Sequence, residues 1–458
     1  MMNQSEHLIR KYNVPVPRYT SYPPATEFTE KLTEREYRSM LAESNHRNPQ
    51  HVALYIHIPF CRKICYYCGC NATHIGSGNE VKPYIEALKR EIEMVTSHIH
   101  KNRKVSQIHF GGGTPNSIDA EYLAGIIALI RSKFTFIENP EIAIECHPGY
   151  LDETYITSLR DAGFNRFSLG VQDFDNDVLK SVNRIPSAMP LDQTVTMLRS
   201  SGASVNLDFI YGLPRQDAAS FSETIKKAIA LKPDRLVTFS YAHVPWVKKH
   251  QAILESKGLP DPPAKTAMFN AAHDLLTEAG YVFIGLDHFV LPDDELATAL
   301  AGHTLHRNFQ GYCTRRTTGQ VYAFGVSAIS QLDGGYVQNT KDVKEYIQIL
   351  ANNALPVDRG LRISQSQREI REVINELMCN KYISWPEISK RLGVPQKRLR
   401  EQFFPERSKL LEFSDEGLLI FSDDELRVTE AGSLFIRNIA ASLDPAFNSE
   451  NNRYSRSV

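Results

Sequence analysis

The chain has 458 residues and an almost balanced charge, with 52 Lys and Arg against 53 Asp and Glu. This length predicts more than one domain, and the balance argues against bulk binding of nucleic acid through phosphates. Seven cysteines, an odd number with four packed into Cys61–Cys70, are unlike a secreted disulfide framework. With a polar start and no long apolar run, the sequence predicts a cytoplasmic protein without a membrane span.

The chain opens with an irregular, proline-rich segment, residues 1–50, in which a helix is predicted at Glu34–Ser44. Apolar, β-branched stretches then alternate with stretches of helical periodicity, which predicts βαβ units on a parallel sheet. Right-handed crossovers would curl six such units into a partial or full α/β barrel. The predicted strands are Val52–Phe60, Val105–Phe110, Glu141–Cys146, Arg166–Gln172, Ser204–Ile210 and Arg235–Tyr241, and the helices between them are Glu80–Val95, Ala120–Phe134, Thr154–Ala162, Leu191–Ser200 and Phe221–Leu231.

After a further helix and strand, at Ala264–Glu278 and Tyr281–Leu286, the pattern becomes helix-rich near residue 350. The predicted organisation is an N-terminal segment (1–50), a barrel with its extension (51–350) and a C-terminal helical domain (351–458). Tyr382–Phe403 has the pattern of a helix–turn–helix, for which DNA contact is one interpretation. The neutral charge favours the other interpretation, a small packing or lid domain.

Three cysteines, Cys61, Cys65 and Cys68, follow the first predicted strand on one loop. Structural zinc sites prefer paired two-residue spacings and need a fourth ligand. A cuboidal iron–sulfur cluster takes four thiolates when fully ligated, so three close cysteines predict a cluster with one open iron. From the spacing alone Cys70 is a possible fourth ligand.

A run of three glycines, Gly111–Gly113, and Thr114 follow the second predicted strand. Consecutive glycines are useful where backbone approaches a ligand closely, although a flexible turn is the alternative. The loop lacks the lysine of a phosphate-binding P-loop. Further polar residues lie on or after successive strands, where α/β barrels place ligands, and they predict a polar cofactor pocket rather than solvated caps; they are Glu145, Gln172, Arg184 and Asp208.

Together, the cysteine loop, the glycine loop and the six βα units resemble the radical S-adenosylmethionine superfamily. The resemblance implies that the open iron binds the amino and carboxylate groups of S-adenosylmethionine. Reduction of the sulfonium would release a 5′-deoxyadenosyl radical that abstracts a hydrogen atom, a reaction that side chains cannot perform.

Motifs along nearly the whole chain are similar to one family, the oxygen-independent coproporphyrinogen III oxidases. This resemblance implies conversion of coproporphyrinogen III to protoporphyrinogen IX in porphyrin and haem biosynthesis, with two propionates becoming vinyl groups. The motifs are Arg18–Pro23, Tyr55–Cys61, Cys68–Asn71, Gly170–Phe174, Ile210–Pro214, His306–Tyr312 and Gly325–Ser330.

The same resemblance implies a set of site residues. Cys61, Cys65 and Cys68 would hold a [4Fe–4S] cluster and Cys70 would not be a ligand. The positions matched around the S-adenosylmethionine at the cluster are Tyr55, Gly112, Glu145 and Ile329. Those around a second S-adenosylmethionine are Tyr67, Gly113, Thr114, Gln172, Arg184, Asp208 and Ala242. An unidentified low-potential electron donor, a monomeric state and an N-terminal segment that closes over the substrate with the C-terminal domain are also expected.

Two positions depart from the family pattern. Tyr67 stands where phenylalanine is equally expected, and His147 stands where an aspartate usually precedes the proline. His147 keeps open a family-derived enzyme with a changed substrate, such as a radical methyltransferase. A haem-binding chaperone is another alternative, but such relatives typically carry phenylalanine at the position of Cys70 and lack the Arg18–Pro23 segment.

Overall fold

The computed structural model describes residues 2–47, 50–314, 320–403 and 407–447. In chain order, the strands of this part are β1 Val52–Ile58, β2 Phe60–Cys61, β3 Thr73–His74, β4 Val105–Gly112, β5 Phe136–Cys146, β6 Arg166–Gln172, β7 Ser204–Tyr211, β8 Arg235–Ser240, β9 Val282–Gly285, β10 His288–Val290, β11 Leu305–Asn308, β12 Gly311–Thr314, β13 Val321–Phe324, β14 Ile329–Leu332, β15 Gly335–Asn339, β16 Val357–Arg362, β17 Tyr382–Ser384, β18 Leu419–Phe421 and β19 Glu425–Val428.

The α-helices are α1 Met2–Tyr12, α2 Glu34–Ser44, α3 Val81–Thr96, α4 Ala120–Lys133, α5 Glu153–Asp161, α6 Asn176–Ser181, α7 Leu191–Arg199, α8 Ala218–Ala230, α9 Pro262–Glu278, α10 Glu295–Ala301, α11 Val343–Ala351, α12 Gln365–Asn380, α13 Trp385–Leu392, α14 Gln396–Phe403, α15 Arg407–Asp415 and α16 Ile436–Ser442. Short 3₁₀ helices connect some of them. None of the helices in the described ranges combines the length and the hydropathy needed to cross a bilayer.

Six neighbouring strands, β1 and β4 to β8, run parallel in one large sheet. Helices α3, α4, α5, α7 and α8 lie between them in the chain, as crossover connections require. This arrangement confirms the predicted partial barrel of six βα units. Because all six strands point the same way, their carboxyl ends share one rim, where barrels of this kind place their ligands.

The alternation of side chains along a strand decides what faces the barrel interior. In β6 the residues Phe167, Leu169 and Val171 are buried, while Ser168 and Gln172 lie on the opposite face. Successive side chains of a strand point to opposite faces, so one set packs under the helices and the other faces the interior. The polar residues of the strands therefore converge inside the barrel.

The sheet extends beyond the barrel on both sides, and of the added strands the sequence predicts only β9, within Tyr281–Leu286. Strand β13 pairs in parallel with β1, and β14, β15 and β16 follow in antiparallel order. On the other side β10 and β9 continue from β8 in antiparallel order. These strands are mostly three to five residues long, too short for a clear period.

The C-terminal unit starts later than predicted. Val357–Arg362 is the edge strand of the large sheet, paired with β15, so the boundary lies after Arg362 rather than at residue 351. From α12 onward the described residues form a separate core of helices around the three-stranded sheet β17–β19–β18. The end of the predicted C-terminal domain, 448–458, lies outside the described residues.

The N-terminal segment is divided between two cores. Tyr12, Val16, Tyr19 and Tyr22 are buried in the C-terminal core, whereas α2 packs on the barrel core. The hydroxyls of Tyr19 and Tyr22 both donate to Asp444, at 3.0 and 2.8 Å. The stretch that contains the Arg18–Pro23 motif is thus bound to the C-terminal unit.

Candidate active site around the cysteine loop

One cavity at the carboxyl ends of the parallel strands brings together most of the predicted site residues. Cys70, Cys146, His147, Ser168 and Gly170 also line it. Tyr55, Ala242 and Ile329 are not among the lining residues. The predicted residues that line the cavity are Cys61, Cys65, Tyr67, Cys68, Gly112, Gly113, Thr114, Glu145, Gln172, Arg184 and Asp208.

The cysteine loop presents free thiols to this cavity. Cys61 and Cys65 are buried, Cys68 is half-buried and Cys70 is exposed. Hydrogen bonding with Cys70 lowers the pKa of the Cys68 thiol, and the charges of nearby Lys248 and His250 lower it further. No three His, Cys, Asp or Glu side chains of the described ranges converge on a single-ion site. A four-iron cluster instead takes thiolates on different iron atoms.

Neighbouring elements hold the cysteine loop in place through its backbone. The Tyr66 N–H donates to Val182 O at 3.0 Å, and Asn183 Nδ2 donates to Ile64 O at 2.8 Å. Cys68 N–H donates to Cys65 O at 3.1 Å, which closes a turn between the last two cysteines. The loop is therefore a built structure, positioned by the chain after α6.

Each residue of the glycine run is small for a different steric reason. A Cβ on Gly111 would lie 2.7 Å from the Glu145 carboxylate, and one on Gly112 would lie 2.7 Å from the His57 ring. Gly112 also has a φ of +119°, which disfavours any side chain. A Cβ on Gly113 would meet the Pro59 carbonyl oxygen at 2.4 Å. The loop fits between β1, β5 and the cysteine loop only without side chains.

The Glu145 carboxylate is oriented by a histidine that the sequence reading did not select. His109 Nε2 lies 2.9 Å from Glu145 Oε1. The His109 ring stacks on Tyr55, with centroids 5.9 Å apart. His109 precedes Gly111 by two residues on β4, so the period of two along a strand places both on one face. That alternation is the signal that points to His109.

Tyr55 is linked to the site through His57. His57 Nε2 lies 3.1 Å from Asn71 O, and a carbonyl only accepts, so the proton of this neutral ring is on Nε2. Burial lowers the pKa of His57, which favours that neutral form. Nδ1 then accepts from the Tyr55 hydroxyl at 3.2 Å. The neutral His57 ring thus fixes the orientation of the Tyr55 hydroxyl.

Arg184 connects the cysteine loop to β6. Its Nη1 donates to the Tyr67 hydroxyl at 3.0 Å and lies 3.5 Å from Cys65 Sγ, while Nη2 donates to Gly170 O. Next to it, Gln172 adopts a φ of +71°, in the left-handed region that non-glycine residues avoid. The buried Oε1 of Gln172 has no hydrogen-bond partner among the described residues. Such an orphaned acceptor is costly unless a ligand donates to it.

Asp208 is held by two donors inside the barrel. Ser168 Oγ donates to Oδ2 at 2.7 Å and Asn206 Nδ2 donates to Oδ1 at 2.7 Å. Burial raises the pKa of Asp208 to about 6, against these hydrogen bonds, which lower it. The carboxylate therefore ionises close to neutral pH.

His147 does not add a positive charge beside Glu145. Its Nδ1 accepts from Gly149 N–H at 2.9 Å, and its ring stacks on Tyr150 at 4.4 Å. Burial, and then the charge of Arg184, lower the pKa of His147 to about 2. The imidazole is neutral at physiological pH, so this departure from the family pattern removes the negative charge of an aspartate without adding a positive one.

Ala242 and Ile329 lie outside the cavity lining. Ala242 is exposed just after β8, and Ile329 starts β14 and packs near Phe28 and Tyr336. Their predicted contacts with S-adenosylmethionine therefore stay predictions.

The fold and the site agree with what family comparisons find. The radical SAM superfamily model matches residues 55–228, which run from β1 to α8 and include both the cysteine and the glycine loops. A second family model, described as the HemN C-terminal domain, matches residues 363–435, in the C-terminal unit. The chain is a radical S-adenosylmethionine oxidoreductase.

Full-length relatives define the family within this class. A protein of Synechocystis named oxygen-independent coproporphyrinogen III oxidase is 41% identical and covers 96% of this chain and 94% of its own length. The Escherichia coli protein of that name is 38% identical over 95% of this chain and 94% of its own. The solved structure of the Escherichia coli enzyme superposes with a TM-score of 0.89 at 36% identity and covers 96% and 99%. The chain belongs to the oxygen-independent coproporphyrinogen III oxidase family.

Membership of this class confirms the predicted [4Fe–4S] cluster and S-adenosylmethionine as cofactors. The residues present fit them: three thiols on a fixed loop, a cradle of glycines and the orphaned Gln172 oxygen in the same cavity. The number of S-adenosylmethionine molecules per chain stays a prediction.

Proposed function

We propose that the chain catalyses the oxygen-independent oxidative decarboxylation of coproporphyrinogen III to protoporphyrinogen IX. The observation that carries this proposal is the similarity to the Escherichia coli enzyme, because it covers 96% of this chain and so includes the N-terminal and C-terminal parts beside the barrel. Each propionate that becomes a vinyl group loses one CO₂, one hydrogen atom and one electron. The electron leaves to an acceptor that is not part of the chain.

We assign the cofactor residues as the family resemblance implies. Cys61, Cys65 and Cys68 would ligate the cluster, with the exposed Cys70 as a non-ligand. When bound and reduced, the cluster and S-adenosylmethionine supply a 5′-deoxyadenosyl radical that removes one hydrogen atom from the substrate. Tyr55, Gly112, Glu145 and Ile329 would surround the first S-adenosylmethionine. The second would be surrounded by Tyr67, Gly113, Thr114, Gln172, Arg184, Asp208 and Ala242.

A pair of arginines beside the barrel suits a substrate that carries carboxylates. Arg18 Nη2 lies 3.7 Å from Asp287 Oδ2 and is half-exposed. Arg307 stacks over Tyr312 at 4.7 Å. Burial raises the pKa of Asp287, but His288 and then the charges of Arg18 and Arg307 lower it below its ordinary value. Nε and Nη1 of Arg307 are buried and have no hydrogen-bond partner in the described residues. Guanidinium groups bind carboxylates through two parallel hydrogen bonds.

Asp287, the acid beside this arginine pair, is bound to the barrel at β8. Asp287 O accepts from Thr238 N–H at 2.9 Å, in the second half of β8. Arg18 belongs to the segment that is bound to the C-terminal unit through Tyr19 and Tyr22. We therefore assign to Arg18 and Arg307 the binding of a substrate propionate that is kept in the product, with the N-terminal segment and the C-terminal unit closing over the tetrapyrrole.

The direct test is an anaerobic assay. Reconstituted protein with a reductant, S-adenosylmethionine and coproporphyrinogen III should yield protoporphyrinogen IX, CO₂ and methionine. If deuterium from a labelled propionate side chain enters 5′-deoxyadenosine but no vinyl product forms, the enzyme acts differently on this substrate. Tight stoichiometric haem binding without turnover would instead support the chaperone alternative.

We expect Arg307→Gln to raise the KM for coproporphyrinogen III roughly tenfold or more, because a charged carboxylate partner is lost. Arg307→Lys keeps the positive charge but loses the paired donors of the guanidinium group, and it should have a smaller effect on KM. Cleavage of S-adenosylmethionine in the absence of substrate should be unchanged in both variants. An unchanged KM in Arg307→Gln would remove this residue from the substrate site.

We expect the binding of the second S-adenosylmethionine to depend on the ionisation of Asp208. With a pKa of about 6, the carboxylate is charged at pH 8 and protonated at pH 5, so the affinity for a sulfonium ligand falls as the pH falls. In Asp208→Asn the affinity at pH 8 should be roughly tenfold lower and its dependence on pH reduced.

Equilibrium dialysis of anaerobically reconstituted protein measures both the stoichiometry and the Kd. We expect two molecules per wild-type chain at pH 8 and one high-affinity molecule in the variant. Asp192→Asn, at an exposed position of α7, is the matched control and should behave as wild type. One molecule bound by both wild type and Asp208→Asn would contradict the second site.

We also propose that the enzyme works in the cytoplasm as a monomer. The free thiols of the described residues suit a reducing compartment. Sedimentation of the reconstituted protein at several concentrations tests the monomeric state.

A further inference from the structure

One surface beside the cysteine loop is both apolar and basic. Trp246 and Val247 are 77% and 66% exposed, and Ile253 is 42% exposed. Lys248 and Lys249 lie between them in the chain, and Lys249 is exposed. We call these five residues the Trp246 patch. A tryptophan is rarely exposed to this degree. Exposed aromatic side chains that cluster with other apolar groups are characteristic of binding surfaces.

The segment that carries the patch is joined directly to the cysteine loop. Gln251 Nε2 donates to Tyr67 O at 2.9 Å, and His250 Nε2 donates to Cys68 O at 2.9 Å. Lys248 Nζ donates to Cys70 O at 2.6 Å. Gln251 also accepts from Val244 N–H through Oε1 at 2.7 Å, which closes the segment into a fixed loop. The side chain of His250 thus connects the segment of the patch to the backbone of Cys68.

The charge around the patch is predominantly positive. Neither residues 61–79 nor residues 244–254 contain Asp or Glu, whereas Arg62, Lys63, Lys248 and Lys249 are present. Exposed Lys257 adds a further cation, 5.0 Å above the Tyr66 ring. The nearest acid in the patch segment, Glu255, lies 2.9 Å from His243. A second copy of the chain would place like charges opposite each other, whereas an acidic protein would complement them.

We propose that the Trp246 patch is the docking surface for a small acidic protein that carries one electron at low potential. One electron passes from the carrier to the cluster, so the carrier is oxidised and the cluster is reduced. The apolar centre supplies contact area, and the basic rim steers the carrier and fixes its orientation. The proposal depends on the cofactors of the class and not on the substrate. Its test therefore stays informative if the substrate assignment fails.

The experiment compares two reductants on the reconstituted enzyme. Reduced flavodoxin, an acidic flavin protein, is the docking probe, and dithionite is a small reductant that needs no docking surface. In Trp246→Ala/Lys249→Glu we expect the Kd of flavodoxin to rise at least about tenfold. The rate of cluster reduction by flavodoxin should fall by a similar factor, whereas reduction by dithionite should be unchanged.

Matched controls use the C-terminal unit. Lys397 is 88% exposed on α14 and Ile420 is 61% exposed on β18. Lys397→Glu/Ile420→Ala removes the same kinds of group and should leave the Kd of flavodoxin unchanged. The inference is overturned if the patch variant binds flavodoxin as wild type does, if reduction by dithionite falls equally, or if the variant changes the oligomeric state instead.

Discussion

Cys65→Ser should give a folded protein that holds no [4Fe–4S] cluster and does not cleave S-adenosylmethionine. Cys65 is buried in the cavity, and serine has nearly the same volume, so the loop keeps its shape. A serine hydroxyl is not the thiolate that iron–sulfur clusters use. Iron and sulfide content, the visible absorption of the reconstituted protein and production of 5′-deoxyadenosine are the measurements. Activity should fall below detection.

Two matched cysteine variants make this result specific. Cys70→Ser changes an exposed thiol two residues beyond Cys68, and Cys313→Ser changes a buried thiol on β12. Both should bind a full cluster after reconstitution. Loss of the cluster in Cys70→Ser would make Cys70 a ligand and would return the site to four thiolates. A normal cluster in Cys65→Ser would refute the assigned ligand set.

Gly113→Ala should abolish tight binding of S-adenosylmethionine. The new Cβ would meet the Pro59 carbonyl oxygen at 2.4 Å, and backbone cannot turn aside as a flexible side chain does. The hydrogen bonds from Gly113 N–H to Ile58 O and from Thr114 N–H to Phe60 O would be displaced with it. Because a shift of about 1 Å in a binding loop can cost roughly 100-fold, we expect at least that loss in affinity.

Gly125→Ala is the control for Gly113→Ala. Gly125 lies in α4, and a Cβ there would meet nothing within 4 Å. Alanine is about 1 kcal/mol better than glycine inside a helix, so this variant should be slightly more stable and should bind S-adenosylmethionine normally. Equilibrium dialysis measures the affinity and thermal unfolding measures the stability. Normal binding by Gly113→Ala would show that the loop has another conformation.

The barrel could be predicted because its signals are local. Strands such as Val52–Ile58 are almost entirely apolar, since parallel strands are covered on both faces. The helices between them repeat their apolar residues with the helical period. The antiparallel strands β13 to β16 escaped prediction because they are short and paired through long-range contacts. The boundary near residue 351 was wrong for this reason, as Val357–Arg362 looks like a linker until its partner β15 is known.

The residues of the site also differ in whether their signal is local in the sequence or depends on long-range contacts. The cysteine and glycine loops are each continuous in the chain, so their spacing indicates their chemistry. His109 contributes through Glu145, which is 36 residues away in sequence, and through its stacking on Tyr55. Arg18 lies beside Asp287, whose pKa the charge of Arg307 also lowers, and the segment of Arg18 is bound to the C-terminal unit through Tyr22. The Trp246 patch acquires its meaning from hydrogen bonds to a loop that lies 182 residues earlier.

The sequence by itself determined the cofactor chemistry, the six βα units and the family, because these depend on residues close together in the chain or on motifs that can be matched one by one. Only the tertiary structure decided the neutral state of His147, the elevated pKa of Asp208, the arginine pair and the surface beside Cys68. Burial, and contact between residues distant in sequence, produce these properties, and neither leaves a local pattern. Short stretches of sequence therefore specify the cofactor chemistry. The charge states around the site and the surfaces that lead to it depend on the fold.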